Sequence, residues 1–220
     1  MIKEFQHARE FDLEGVVPWG RRLDEYRAFF ALDDVAPGAS ILDVGGGPAS
    51  FAAEASEAGY SVTAADPIYA LDGETIRRRF EETAVAMRAG MRVASYRFNW
   101  NFYGSEERVH RRRREALDLF LTDFARRGER RYVPASLPDL PFADDTFALA
   151  LSSHFLFLYG DELDGAFHIA AIRELLRVAE EVRIFPLLNL DGRPSSHLPV
   201  VIRDLEKDGF EPELVPVPFE

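Results

Sequence analysis

The stretch ILDVGGGPASFA, residues 41–52, constrains the fold more than any other part of the chain. An apolar run broken only by Asp43 stops abruptly at Gly45, Gly46 and Gly47. A short continuous apolar run reads as a strand covered on both faces. Glycines directly after it let the backbone turn sharply and leave no Cβ to hold a neighbour away. Residues 48–58 then read as a helix, with Pro48 suited to its first turn. SVTAA at 61–65 is a second strand, closed by Asp66, which stands 21 residues after Gly45.

The rest of the chain keeps this alternation. Residues 21–31 read as a helix; 131–135, 147–153 and 182–185 read as strands. A helix is expected after Asp161, taken as its N-cap, another at 196–208, and a sixth strand at 211–217. Strands alternating with helices over short connections predict an α/β fold with a doubly wound, mostly parallel sheet. Residues 1–220 are read as a single domain. Residues 70–130 interrupt the rhythm with two amphipathic helices and are expected to form a helical cap inserted after the second strand. Ligands of such sheets bind beyond the carboxyl ends of the strands, so Gly45, Asp66, Ser136, His154 and Phe185 fall where chemistry is expected.

Composition removes whole classes of function. The chain has no cysteine, which excludes thiol nucleophiles, thiolate metal sites and disulfides. Lys3 and Lys207 are the only lysines, so a Tyr-x-x-x-Lys dehydrogenase pair has no counterpart. No metal is expected, because His7, His110, His168 and His197 lack ligand-like spacing. No apolar run reaches the 18 or so residues of a membrane span and the opening residues hold no leader-like core, so a cytoplasmic protein without a membrane partner is expected. The net charge is −12, yet residues 77–131 carry 15 arginines against 8 acids. So acidic a body repels phosphate and argues against nucleic acid as partner. Arginine used in place of lysine hints at a bacterial source.

A carboxylate where Asp66 stands can accept hydrogen bonds from both ribose hydroxyls of an adenosine moiety. The dinucleotide fingerprint would need glycine or alanine at position 50, where Ser50 stands, and this disfavours a small NAD(P)-linked oxidoreductase. ILDVGGGPASFA resembles the first motif of class I S-adenosylmethionine-dependent methyltransferases. SVTAADP resembles their second, and SLPDLPFADDTFALALSS at 136–153 the stretch leading into their fourth strand. The resemblance covers about 40–66 and 131–185. It implies a Rossmann-like methyltransferase fold, with S-adenosyl-L-methionine as cofactor and S-adenosyl-L-homocysteine as product. Asp43, Gly45, Gly46 and Gly47 would form the cofactor loop, Asp66 would hold the ribose, and Pro67 and Ile68 would flank the adenine. Ser136 and Leu137 would meet the adenine edge, and Ser153 and His154 would lie beneath the sulfonium. It further implies a seventh, antiparallel strand, for which the sequence up to Glu220 holds no segment.

The acceptor side is read from residue chemistry alone. Methyl transfer needs a nucleophile positioned near an activated methyl group and shielded from water. His154 is the histidine at a strand end suited to act as base, and equally suited to line the pocket or to pack the core. Arg21 is placed to pair with the cofactor carboxylate, or is a surface arginine at a helix start. Trp19, Asn99, Trp100 and Tyr103 are candidate substrate contacts, or packing residues. The run Arg111–Arg114 covers most of a helix circumference and reads as a solvated face with i,i+4 partners. Asn189 and Asp191 reach towards the acceptor or simply make a turn. A small-molecule acceptor, with an anionic one compatible with the arginine surplus, is the leading reading. A non-catalytic module binding the same cofactor is the alternative.

Overall fold

The computed structural model describes residues 17–93 and 95–217; His7 lies outside them. In chain order the elements are α1 (Leu23–Phe30), β1 (Ser40–Val44), α2 (Phe51–Glu57), β2 (Ser61–Ala65), α3 (Gly73–Val93), α4 (Trp100–Tyr103) and α5 (Glu106–Arg127). They continue with β3 (Tyr132–Val133), β4 (Phe147–Ser153), α6 (Gly165–Val178), β5 (Ala179–Phe185) and α7 (Leu198–Lys207). The five strands form one parallel sheet in the order β3-β2-β1-β4-β5, an arrangement compatible with a Rossmann-like fold. Strand order reverses between β1 and β4, which makes the crevice beyond their carboxyl ends the switch point.

Alternation along each strand decides which layer a side chain joins. Ile41, Val62, Ala64, Leu149 and Leu151 face a cluster built with α1, α2, α3 and α5, including Tyr26, Phe29, Phe51, Phe80 and Phe120. Leu42, Val44, Ala65 and Ala150 face the other way, onto Ala171, Ile172, Leu175 and Val178 of α6 and Val201 and Leu205 of α7. Asp43 shares the face of Ile41 and so points at α1, not at solvent. The helices α3, α4 and α5 all lie between β2 and β3 in the chain and close the first cluster.

Several boundaries differ from the sequence reading. Helix α2 starts at Phe51, and Pro48 belongs to the turn before it. The turn needs those extra residues because Gly45 and Gly47 adopt φ of 72° and 59° before the chain can become helical. Asp164, not Asp161, caps α6, its carboxylate accepting from the Phe167 amide at 2.8 Å. Residues 211–217 form no strand; Pro212 and Pro216 supply no amide donors for a ladder, and Leu214 and Val215 between them are exposed. No helix among the described residues is long and apolar enough to cross a membrane.

Candidate functional site

The glycine turn, the end of β2 and the segment after β3 converge on one cavity of about 290 Å³ at the switch point. That is near the lower end of ordinary small-molecule sites (roughly 300–1,000 Å³). Gly45, Gly47, Asp66, Pro67, Ile68, Ser136 and Leu137 line it together. Val17, Pro18, Val44, Ala65, Leu71, Arg79, Ala135 and Phe155 complete the wall.

Asp66 organises the cavity. One carboxylate oxygen accepts from the Gly47 amide and the other from the Ile68 amide, both at 2.9 Å. The two bonds tie the glycine turn to the turn after β2, and a carboxylate with about four acceptor sites keeps roughly half of them. Burial pushes the Asp66 pKa up, while the two amides pull it the other way. Tyr69 adds a second tie, donating to the Gly47 carbonyl at 2.8 Å. A Cβ at Gly45 would stand 3.0 Å from the Phe155 ring, so the absence of a side chain there lets the wall close on the turn.

Asp43 lies beneath this floor. It is 1% exposed, and the Tyr26 hydroxyl sits 3.0 and 3.1 Å from its two oxygens. Burial raises its pKa to about 7 against the Tyr26 hydrogen bond, and the nearby Asp66 charge adds to the rise. A Cβ on Gly46 would overlap the Asp43 carboxylate, so Gly46 serves the packing below the turn; neither residue lines the cavity.

The chain entering α1 straps the turn from outside. Gly20 presses on the Pro48 carbonyl so closely that a Cβ would overlap it. The Ser50 amide donates to the Arg21 carbonyl at 3.1 Å, and the Val17 amide donates to the Tyr159 hydroxyl at 3.2 Å. Val17 and Pro18 therefore form one end of the cavity, while Arg21, three residues further along, points elsewhere. Its Nη1 donates to the Trp19 carbonyl at 3.1 Å.

His154 directly follows β4 with φ of 53°, a left-handed backbone uncommon for a residue with a side chain. Its amide donates to the Phe185 carbonyl, and its Nδ1 lies 3.0 Å from the Ser153 hydroxyl. The ring packs between Phe29 and Phe185, with centroids at 4.9 and 5.3 Å. By surface area it is only partly covered, yet enclosure by neighbouring atoms, followed by the charges of Arg21 and Arg113, drives its pKa well below the ordinary histidine value. Crowding and the two cations act in the same sense. The imidazole is neutral at neutral pH and a weak base. Neither His154 nor Ser153 is among the residues around the Asp66 cavity.

The four candidate substrate contacts are placed elsewhere. Trp19 is 5% exposed and stacks on Phe80 at 5.2 Å. Asn99 caps α4, Trp100 donates to the Ser95 carbonyl at 2.6 Å and stacks on Phe98, and Tyr103 donates to Glu25 at 2.8 Å. The structure thus uses these residues to pack and cap the helical insertion. Asn189 and Asp191 make a turn, Asn189 Oδ1 accepting from the amides of Asp191 and Arg193. His168 contacts the carbonyls of Asp164 and Leu156, His197 that of Gly160, and His110 meets Trp19 edge-on.

The arginine run is not a solvated face throughout. Arg111 pairs with Glu115 at 3.9 Å along the helix, but Arg112 reaches Asp24 at 2.7 Å and Arg114 reaches Glu81 at 2.5 Å. Arg113 is buried and grips Glu25 with two bonds of 2.6 and 2.7 Å. Successive helical positions point in different directions, so Arg111 pairs along α5, Arg112 and Arg113 reach α1, and Arg114 reaches α3.

Comparison with known proteins adds one relative. Over 208 residues the chain is 35% identical to "Uncharacterized protein MJ0045" of Methanocaldococcus jannaschii, covering 92% of this chain and 94% of that one. The chain belongs to that protein's family. No family model matches it, and no solved structure does. The relative is archaeal and lends no support to a bacterial source.

Residues that the sequence reading missed in the cavity wall are Val17, Pro18, Val44, Ala65, Leu71, Arg79, Ala135 and Phe155. Phe155 stands two residues past the end of β4 and is within reach of strand-end reasoning. Arg79 carries a weaker signal, lying one helical turn after the core residue Ile76. Val17 and Pro18 carry none.

Proposed function

We propose that the chain is an S-adenosylmethionine-dependent methyltransferase acting on a small molecule. One observation carries the reading: Asp66 and the glycine turn Gly45–Gly47 face a single cavity at the point where strand order reverses. The residues present fit such a cofactor. Asp66 keeps acceptor capacity for two ribose hydroxyls beyond its two backbone amides, Pro67, Ile68 and Leu137 offer apolar surface to a flat base, and the turn lets a ligand approach the backbone. The bound cofactor supplies a methyl group already activated for in-line displacement. The chain's own work is to orient ligands, exclude water and accept any proton released. Val17, Pro18 and Phe155 exclude water at one end, and Arg79 and Leu71 bring the helical cap to the other.

One observation favours the second reading, a module that binds the cofactor without turnover. His154, the candidate base beside the β4 end, is a weak one, because enclosure and the Arg21 and Arg113 charges hold it neutral. Calorimetric titration with S-adenosylhomocysteine beside NAD⁺, with Asp66→Ala as control, tests the first reading. Micromolar binding of the homocysteine compound alone, lost in the variant, is the expected result. Binding of NAD⁺ instead, or of neither, overturns it. A methylated product from any acceptor then separates enzyme from module.

A further inference from the structure

Arg21 carries a charge that the Asp66 cavity does not explain. Its Nε is buried without a hydrogen-bond partner, and its one partner among the described residues is the Trp19 carbonyl. Glu25, the acid within electrostatic reach, is already held by Arg113, the Tyr103 hydroxyl and the Arg22 amide. By surface area the side chain is only partly covered, yet its Nε is enclosed; that enclosure first, and then the Arg113 charge, lower the Arg21 pKa against the pull of Glu25. A buried N–H left without an acceptor is costly, and a ligand oxygen would satisfy it. Tyr26, Tyr103, Tyr159 and His154 are the groups around it. Phe29 and Phe185 add an apolar wall behind the imidazole.

We propose that Arg21 seats the carboxylate of the acceptor, a small organic acid lying against His154 at the carboxyl ends of β4 and β5. The proposal deepens the methyl-transfer reading, on which the word acceptor rests. A guanidinium matches a carboxylate with two parallel N–H donors, and the missing Nε partner is one of them. Glu25 is bound by Arg113, so two guanidiniums face one carboxylate and the seat is net positive. The amino-acid end of the cofactor also bears a carboxylate, so the test has to separate the two sources.

The experiment uses the full chain and sodium acetate as probe, with the His154 imidazole resonances read by NMR and assigned through His154→Gln. Acetate is expected to shift them saturably, with no effect of sodium chloride at equal ionic strength. The response is abolished in Arg21→Gln and weakened at least tenfold in Arg21→Lys, which keeps the charge and guards against a folding artefact. A shift reproduced by chloride, or unchanged in Arg21→Lys, overturns the proposal. S-adenosylhomocysteine and 5′-methylthioadenosine, which lacks the amino-acid end, form the second arm. If Arg21→Lys weakens the first tenfold and spares the second, Arg21 serves the cofactor and the acceptor assignment falls. If both bind as to the parent chain while the acetate response drops, the assignment stands. If neither nucleoside binds the parent chain but acetate does, the methyl-transfer reading fails while the carboxylate seat survives.

Discussion

Replacing Asp43 by asparagine turns the charge beneath the glycine turn into a measurable stability. The carboxyl group is buried on β1 and bonded, among the described residues, by Tyr26. Its pKa stands at about 7 in the fold against 3.8 in the unfolded chain, chiefly through burial. At 1.36 kcal/mol per pH unit, the ionised form costs on the order of 4 kcal/mol more in the fold than in the unfolded chain. The folded chain therefore holds the proton to higher pH than the unfolded one. Its contribution to stability is fully present below pH 3.8 and is lost as the pH rises to about 7. Asp43→Asn keeps the size and the acceptor for Tyr26 but cannot ionise. Urea unfolding of both chains at constant ionic strength, from pH 4 to pH 8, isolates the effect, because titrations common to both cancel in the difference. The variant is expected to gain on the parent chain by about 1.4 kcal/mol per pH unit through that window and to level off above it. A difference that stays flat from acid to neutral pH would refute the reasoning, since it would mean that Asp43 ionises in the fold as readily as in water.

Other outcomes follow from the same contacts. Truncating either Glu25 or Arg113 strands a buried charge and is expected to cost about 3–5 kcal/mol in urea unfolding, whereas the double change Glu25→Leu with Arg113→Met should recover at least half of that. Glu25 has a folded pKa of about 2 against 4.5, where the Arg113 ion pair and hydrogen bonds outweigh the burial that opposes them, so its contribution is present above pH 4.5 and fades as the pH falls towards 2. Acid titration of the parent chain beside Glu25→Gln reads that loss; parallel curves would contradict it. Gly20→Ala pushes a Cβ into the Pro48 carbonyl, backbone against backbone, and should lower stability by about 2 kcal/mol or more in thermal melts. Gly45→Ala meets the Phe155 ring at a φ of 72° and should weaken S-adenosylhomocysteine at least tenfold by calorimetry, with a melt lowered by only a few degrees. Unchanged affinity would remove the turn from the binding surface.

The sequence by itself determined the pieces whose physics is local. Strands at 61–65 and 147–153 coincide with β2 and β4, because a covered strand needs consecutive apolar side chains and leaves that mark in the residue order. The glycine turn and Asp66 were legible for the same reason, since backbone conformation and strand-end position are properties of adjacent residues. The tertiary structure alone decided which partners meet. Arg113 reads as one cation in a polar run, yet it is buried because Glu25, 88 residues earlier, waits on α1. Trp19 and Tyr103 read as ligand contacts until packing turns them onto Phe80 and Glu25. Val17 and Pro18 enter the cavity wall only because Gly20 lets the strap descend onto Pro48. Such encounters depend on how layers stack and on which charge finds its counter-charge, and spacing along the chain carries no record of either.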